Sequence, residues 1–346
     1  MLFVVRYGLW IVALLMMLLC ACGSQTAVSP ALRRPADGSP ASPEEWSTNG
    51  PVGSPNTQLR HPEPPSQGYK WFPDVLGPHK TVTETVYLTS LNGLVIYAEV
   101  VRPVWASADK PCHGLVLVPG GTMKGTTWHA PYRKCNIDNW AAAGFVGMLF
   151  DAQGRGKSEG KEDYNGPVQR GDLKTVIEYC ASRPDVLPGG VGLASSSWGC
   201  TLASATLGTY PDLPVRFWVD LEGAHNRYSA TQYNDPFWIA RFNGHTTYDD
   251  EFWAEREAIT FQPFIRVPYI RIQSDMDHAF DYFYVKHAID MVNATVSGPC
   301  PYARLNHMAP NKILSVAFAE TYEWEQIDGI DEDLYRYVIE ASMTKF

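Results

Sequence analysis

Residues 192–203 read GLASSSWGCTLA and hold three consecutive serines at positions 195–197. A short apolar run typical of a buried β-strand precedes the serines, and a segment with helical composition follows them. Where a strand turns sharply into a helix, a serine at the turn is presented as a nucleophile, and the crowded turn needs small residues two positions away on each side. The alternative interpretation is that the serines only cap the helix.

The spacing of small residues selects one of the three serines. The first has Leu193 two positions before it, and the second has Trp198 two positions after it. Only Ser197 lies between two small residues at this distance, Ser195 and Gly199. The segment is therefore similar to a GxSxG turn with serine in place of the first glycine, and it predicts Ser197 as the nucleophile.

Apolar runs and helical segments alternate along the chain on both sides of this turn. The predicted strands cover residues 83–90, 93–103, 113–121, 145–154, 189–197, 215–223, 267–275 and 302–306. The predicted helices cover residues 135–144, 172–183, 198–208, 282–294 and 331–343. Asn92 and Gly93 join the first two strands as a hairpin. Apolar strands that alternate with helices favour an α/β fold, with a mostly parallel sheet covered on both faces and its active site at the carboxyl ends of the strands.

Length and charge limit the classes of function. The chain has 346 residues, of which 45% are hydrophobic, and this composition supports one large buried core. The formal net charge of -9 gives no basic surface for phosphate binding, so nucleic acid is excluded as a partner. We expect a catalytic domain over residues 68–346. Residues 224–266 are an aromatic-rich cap insertion within it, in which Trp238, Phe242 and Trp253 are candidates for lining the pocket, although packing is the expected role of most of them.

The N-terminal segment is typical of an export signal. Residues 1–21 combine an early positive charge with an apolar run of roughly a dozen residues, which is short for a membrane span and suits a signal peptide. The sequence LCAC ends at Cys22 and resembles the lipobox of bacterial lipoproteins, which implies lipidation of Cys22. Ordinary signal cleavage and an uncleaved anchor are the alternatives. Residues 22–67 have the composition of a disordered tether, so we expect a protein held by lipid to a membrane of the bacterial cell envelope, facing the periplasm or the cell surface.

A serine nucleophile needs a histidine to take its proton and a carboxylate to orient that histidine. In sheets of this kind the two partners follow the serine in the order acid, then histidine. Asp275, at the end of the predicted strand at 267–275, and Asp277, just after it, are the candidate acids. Asp220 or Glu222, after the preceding strand, is the alternative acid.

The base is predicted from its place in the chain. His307 lies in a loop after the last predicted strand and is the predicted base. His287 belongs to a helical pattern and is interpreted as a surface or core-edge residue, while His278 adjoins the proposed acid. His225 and His245 precede the acid, which breaks the expected order, although either residue is able to line the pocket.

Glycines at the end of the strand at 113–121 indicate the oxyanion hole. Here a backbone amide must approach a developing oxyanion without an intervening side chain. The amides of Gly121 and of Trp198, which follows the nucleophile, are the predicted donors, with Thr122 as the alternative to Gly121.

The segment FDAQGRGKSEG follows the next strand, and its residues Asp151, Gly154, Gly156 and Ser158 match a DxxGxGxS pattern. From about Thr81 to the C-terminus, these motifs in this order resemble the α/β-hydrolase family. The resemblance implies an eight-stranded sheet, a Ser-Asp-His triad, an acyl-enzyme intermediate and no required cofactor. It also implies that the DxxGxGxS segment is a structural turn near the rim of the active site.

The resemblance bears on individual residues as well. The run SDMD aligns with a family pattern GxxD, which favours Asp277 over Asp275 as the acid. The chain departs from the family at Ser195, where the turn has glycine, and at Asn306, where many members have glycine before the histidine.

The leading functional prediction is a serine hydrolase that cleaves small or medium carboxylic esters without a cofactor. A peptidase or amidase of the same fold and a catalytically silent binding lipoprotein are the alternatives. No metal site is predicted. Asp328, Asp331 and Asp333 have spacings suggestive of calcium ligands, but the segment lacks the EF-hand loop and is better interpreted as a solvated helix start.

Overall fold

The computed structural model describes residues 79–131, 133–274, 277, 284–315 and 330–346. The predicted signal peptide, the predicted tether and Cys22 lie outside the described residues, as do Asp275, His278 and Asp328.

Eight strands of the described chain form one sheet in the order β1-β2-β4-β3-β5-β6-β7-β8. The strands are β1 Thr81–Thr89, β2 Val95–Pro103, β3 Cys112–Val118, β4 Val146–Phe150, β5 Val186–Ser196, β6 Val215–Leu221, β7 Tyr269–Ile272 and β8 Ala303–Leu305. Strand β2 is antiparallel to both β1 and β4, and the remaining neighbours are parallel. The predicted hairpin between the first two strands and the predicted mostly parallel sheet are both confirmed.

Helices connect the parallel strands and cover both faces of the sheet. They are α1 Ile137–Ala142, α2 Pro167–Ser182, α3 Gly199–Thr209, α4 Arg227–Thr231, α5 Pro236–Arg241, α6 Asp250–Ala254, α7 Ala258–Phe261, α8 Tyr284–Val296 and α9 Ile330–Met343. The four short helices α4 to α7 lie in the chain between β6 and β7, within the insertion that the sequence predicts.

The core has two layers because side chains of a buried strand point alternately to the two faces. In β3, Val116 and Val118 pack with apolar side chains of α2, α3 and α8 on one face. Leu115 and Leu117 pack with α1 and α9 on the other face. Both faces of the sheet are therefore apolar, which is why the central strands read as continuous hydrophobic runs.

Two elements begin three or more residues earlier than the sequence predicts. Helix α2 starts at Pro167, because proline lacks an amide hydrogen and fits the first turn of a helix without cost. Strand β5 starts at Val186, where it pairs with Cys112 before a register shift leads to the pairing of Val191 with Gly114. Neither extension carries the apolar periodicity on which the sequence prediction depends.

A buried ion pair lies beneath the turn that carries the three serines. Arg271 on β7 donates from Nη1 to Oδ2 of Asp220 on β6 at 2.5 Å, and neither side chain is exposed to solvent. Burial disfavours the charged guanidinium, but the neighbouring carboxylate of Asp220 raises the pKa of Arg271 above its usual value. Tyr269 donates to the same carboxylate at 3.2 Å, and Ser195 donates to it at 3.0 Å. Hydrogen bonds from the two neighbouring strands, β5 and β7, therefore help to compensate the buried carboxylate.

Replacing one member of this pair leaves an isolated buried charge. Arg271→Met is expected to lower the free energy of unfolding by about 3 to 5 kcal/mol, whereas the double variant Asp220→Leu with Arg271→Met is expected to lose less. Urea unfolding followed by circular dichroism measures both. The matched control is Arg266→Gln, because Arg266 is exposed and pairs with exposed Asp212 at 3.5 Å; it should change stability by about 0.5 kcal/mol or less. Equal losses for Arg271→Met and the control would contradict this account.

Candidate active site

Ser197 lies in a strained turn between the end of β5 and the start of α3. Its φ angle is +53°, a left-handed conformation that costs a residue with a side chain roughly 1 to 3 kcal/mol. The amide of Ser197 donates to the carbonyl of Leu221 at 2.8 Å, which fixes the turn to the end of β6. The strand-turn-helix context predicted for the three serines is thus present, with the left-handed residue at the third of them.

The turn needs a small residue at position 199 because two backbone segments meet there. A Cβ atom on Gly199 would lie 2.5 Å from the carbonyl oxygen of Pro119 and 2.9 Å from that of Val118. The start of α3 is therefore pressed against the end of β3. Ser195, two residues before the turn, is fully buried and accepts a hydrogen bond from Nε1 of Trp218 at 2.9 Å. Ser195 occupies the position at which the GxSxG pattern has glycine, and its hydroxyl forms hydrogen bonds with Asp220 and Trp218 beneath the turn.

The topology brings the three predicted catalytic residues to one edge of the sheet. Strands β5, β6, β7 and β8 are parallel neighbours, so their carboxyl ends lie at the same edge. Ser197 follows β5, Asp277 follows β7 and His307 follows β8. Asp277 is buried, whereas His307 is half-buried, with its ring centroid 4.9 Å from that of Tyr337 on α9.

Asp277 contacts two buried side chains that sequence reasoning missed. Nε2 of Gln273 donates to Oδ2 of Asp277 at 2.9 Å, and Nε2 of His287 lies 3.2 Å from the same oxygen. The interpretation of His287 as a surface or core-edge residue is wrong, because its side chain is fully buried. The signal was present in the helical spacing, since His287 shares the buried face of α8 with Met291 and Ala288.

Asn306 joins the loop that carries the acid to the loop that carries the histidine. Its amide donates to the carbonyl of Arg271 at 2.8 Å, and its side chain both accepts from the amide of Gln273 at 2.8 Å and donates to the carbonyl of Gln273 at 2.9 Å. Its φ angle of +44° explains the departure from glycine, because asparagine adopts the left-handed conformation more readily than most residues. The hydrogen bonds between the Asn306 side chain and the backbone of Gln273 thus extend the pairing of β7 with β8 by one residue beyond β7.

The two alternative acids differ in their surroundings. Both carboxylate oxygens of Asp220 accept hydrogen bonds in the buried pair with Arg271, so Asp220 serves the interior of the sheet. Glu222 lies at the carboxyl edge with a φ angle of +49°, and its Oε1 accepts from the hydroxyl and, at 3.3 Å, from the amide of Ser274. Glu222 therefore lies close to the loop after β7, whereas the carboxylate of Asp220 is engaged in the interior ion pair.

The two predicted oxyanion residues are linked through buried side chains. Asn165 donates to the carbonyl of Trp198 at 2.9 Å and accepts from Nη2 of Arg155 at 2.9 Å. Nη1 of Arg155 lies 3.5 Å from the carbonyl of Gly121, which has a φ angle of +56°. Glu162 pairs with Arg155 through two hydrogen bonds of 2.7 Å. Burial alone would raise the pKa of Glu162, but the paired guanidinium holds it below its usual value.

The DxxGxGxS segment is a structural turn, as the sequence predicts. The buried carboxylate of Asp151 accepts from the amides of Gly125 and Lys157, each at 2.8 Å. Gly156 has a φ angle of +53°, and a Cβ atom there would collide with this carboxylate. The hydroxyl of Ser158 donates to the carbonyl of Asp151 at 2.5 Å. The turn therefore holds the ends of β3 and β4 together.

Aromatic side chains of the insertion pack against the turn. The ring of Trp198 lies 4.8 Å from that of Phe242 and 5.9 Å from that of Trp253, measured between centroids. Phe242 and Trp253 are buried in this cluster, so packing is their role. Trp238 is instead half-buried, and the guanidinium of Arg241 lies 5.8 Å from its ring centroid. The insertion thus contacts the residue that follows the predicted nucleophile.

Within the described ranges, no group of three or more His, Cys, Asp or Glu side chains could hold a metal ion. Asp333 accepts a hydrogen bond from Arg336 at 2.7 Å. The cysteines of the same ranges are present as thiols rather than disulfides. None of the helices that the structure describes is both long enough and apolar enough to cross a membrane.

Known peptidases are similar to this chain in sequence profile or in fold. The sequence profile of X-Pro dipeptidyl-peptidase (S15 family) matches residues 92–235, which is less than half of the chain. No curated protein matches the chain. A prolyl endopeptidase structure is 18% identical with a TM-score of 0.56, and the match covers 77% of this chain and 39% of that one. Dipeptidyl peptidase 4 of Porphyromonas gingivalis is 13% identical with a TM-score of 0.54, over 76% of this chain and 35% of that one.

A smaller enzyme matches over nearly its whole length. An esterase of Pyrococcus furiosus is 14% identical with a TM-score of 0.52, over 81% of this chain and 96% of that one. The chain thus spans well under half the length of the two peptidases. At these identities the likeness concerns the fold, and together with the sheet order it shows that the described chain has the α/β-hydrolase fold.

The close approach at Gly199 leads to a prediction about stability. Gly199→Ala is expected to lower the free energy of unfolding by about 1 to 3 kcal/mol, because the new methyl group meets backbone atoms that have no room to move. Gly171→Ala is the matched control, since its methyl group would meet only the exposed side chain of Leu91, at 3.3 Å. Alanine in the helix should leave that variant as stable as wild type or more stable by about 0.5 to 1 kcal/mol. Chemical denaturation measures both, and equal stability of the two variants would rule out the close approach.

Proposed function

We propose that this protein is a serine hydrolase that cleaves carboxylic esters through an acyl-enzyme on Ser197, with His307 as the base and Asp277 as the acid. The observation that carries the proposal is the left-handed Ser197 at the same edge of the sheet as the loops of Asp277 and His307. A left-handed conformation is costly for a residue with a side chain, and such strain is typical of functional sites.

In the proposed mechanism, His307 takes the hydroxyl proton of Ser197 as Oγ forms a bond to the carbonyl carbon of the ester. The carbonyl π electrons move to oxygen, and the amides of Gly121 and Trp198 donate to the resulting oxyanion; one such donor is worth roughly 3 kcal/mol in other hydrolases. The intermediate collapses as the carbon–oxygen bond of the ester breaks and His307 returns its proton to the alcohol. Water then repeats these steps to release the acid, and Asp277 orients the imidazole throughout.

Residues outside the proposed triad support its preorganisation. Gln273 holds Asp277 through its side chain and is itself held by Asn306, the residue before His307. The acid and the base are thereby attached to one pair of hydrogen-bonded strand ends. Precise positioning of this kind contributes to catalysis because the groups need little rearrangement as charge develops.

A peptidase is the second candidate function. The S15 profile match over residues 92–235 favours it, and this range includes Ser197 but not Asp277 or His307. The ester proposal is supported by the esterase of Pyrococcus furiosus, because the match covers 96% of that enzyme. A comparison of the hydrolysis rates of an ester and a prolyl amide therefore distinguishes the two substrate classes.

The purified protein is expected to hydrolyse p-nitrophenyl butyrate, and Ser197→Ala and His307→Ala should each lower kcat by at least about a thousandfold. Ser196→Ala is the matched control and should retain activity. His287→Gln should reduce kcat far less than His307→Ala, since His287 contacts the acid in the interior. Loss of activity in Ser196→Ala, or a larger loss in His287→Gln than in His307→Ala, would overturn the assignment. A higher kcat/KM for Ala-Pro-p-nitroanilide than for the ester would favour the peptidase.

We also propose that the protein is anchored to a membrane of the bacterial cell envelope by lipid on Cys22, a proposal that rests on the sequence LCAC and the tether composition that follows. A single acyl chain binds weakly, whereas two or more hold a protein firmly. Metabolic labelling with an alkyne analogue of palmitate should label the full-length protein and its Cys20→Ala control but not Cys22→Ala. Equal labelling of both variants would contradict the proposal.

A further inference from the structure

A polar cavity of about 390 Å³ lies beside the proposed oxyanion residues, and no step of the proposed mechanism uses it. Its lining includes Thr122 and Lys124 from the loop after β3, Arg155, Glu162 and Tyr164 from the segment after β4, and Arg241 from α5. The cavity is therefore built by both the sheet edge and the insertion.

The cavity carries an excess of positive charge. Three of its lining side chains are cationic, and the carboxylate of Glu162 is already occupied by Arg155 through two hydrogen bonds. Neither Lys124 nor Arg241 forms an ion pair with any carboxylate in the described ranges. The whole chain has a formal net charge of -9, so the charge of the cavity lining is opposite in sign to that of the protein.

Arg241 is held in place by contacts with aromatic rings. Its guanidinium carbon lies 5.4 Å from the ring centroid of Phe237 and 5.8 Å from that of Trp238. Contacts with aromatic faces restrain the side chain while its N–H groups stay able to donate. A restrained arginine is well suited to a carboxylate, because the planar guanidinium binds both carboxylate oxygens at once.

Tyr164, in the cavity wall, lies in a segment of left-handed backbone. Tyr164 and Asn165 are consecutive and have φ angles of +51° and +61°. The amide of Tyr164 donates to Glu162 and the amide of Asn165 donates to Gln169, each at 2.7 Å, so side chains hold the strained conformation. The hydrogen bonds therefore fix the backbone that places Tyr164 in the cavity wall.

The cavity adjoins the proposed reaction centre. A Cβ atom on Gly120 would lie 2.9 Å from Cβ of Ser197, and Thr122, two residues further along, lines the cavity. Arg155, in the cavity wall, lies 3.5 Å from the carbonyl oxygen of Gly121. A substrate that reacts at Ser197 is therefore able to extend into the cavity.

We propose that this cavity binds a free carboxylate of the substrate through Arg241 and Lys124, so that the enzyme prefers esters or amides that carry a second, negatively charged group near the scissile bond. The proposal rests on the proposed hydrolase function and names its substrate class. The carboxylate belongs to either the acyl part or the leaving group, and two substrate pairs distinguish these sources.

The test compares charged and neutral esters of matched shape. The acyl pair is the p-nitrophenyl monoester of adipic acid and p-nitrophenyl hexanoate, and the leaving-group pair is 4-carboxyphenyl and 4-carbamoylphenyl butyrate. In at least one pair the charged ester should have a kcat/KM about tenfold higher or more, equivalent to a difference of about 1.4 kcal/mol. Arg241→Gln and Lys124→Gln should each reduce this preference severalfold without changing hydrolysis of the neutral ester. The control Arg266→Gln should leave the preference unchanged.

A binding measurement keeps this proposal separate from the proposed function. Isothermal titration calorimetry should detect adipate binding to the wild type with a Kd of about 1 mM, weaker in Arg241→Gln and in high salt. If both neutral esters are hydrolysed but neither pair shows a preference and adipate does not bind, the anion site is wrong and the hydrolase stands. If no ester is hydrolysed while adipate binds through Arg241, the anion site stands and the hydrolase proposal fails.

Discussion

The contact between the start of α3 and the end of β3 constrains the whole candidate site. Gly199 faces the carbonyl oxygens of Val118 and Pro119, so the chain has to turn within two residues of the end of β5. That turn forces a left-handed conformation on Ser197 and brings its Cβ close to Gly120. The glycines after β3 supply one proposed oxyanion amide and the turn supplies the other, so a single close approach bears on the proposed nucleophile and on both proposed donors.

Buried polar side chains connect this turn to the loop of the acid. Ser195 donates to Asp220, Asp220 accepts from Arg271, Arg271 donates from Nη2 to Gln273 at 2.8 Å, and Gln273 donates to Asp277. Each member is buried, so an unpaired group anywhere in the series would be costly. The series gives β5, β6 and β7 a fixed relation at their carboxyl ends, and Asn306 extends that relation to β8.

The sequence predicted those features that depend on local pattern. Alternating apolar strands and helices gave the sheet, and the small residues at positions 195 and 199 distinguished Ser197 from its neighbours. Pairings between polar side chains could not be predicted, because no periodicity marks Gln273 as a partner of Asp277, four residues later, or of the distant Asn306. The burial of His287 was predictable from its helical spacing, whereas its contact with the carboxylate of Asp277 leaves no mark in the sequence. The charge excess at Arg241 could not be predicted from the sequence, because it depends on the pairing of Glu162 with Arg155.

The central claim is that Ser197, and neither of the two serines before it, is the nucleophile. The most direct measurement is to treat the folded protein with a fluorophosphonate, digest it and locate the adduct by tandem mass spectrometry. The account predicts a single adduct on Ser197 that is lost when His307 is replaced by alanine. An adduct on Ser196 or on the buried Ser195, or a folded protein that forms no adduct at all, would contradict it.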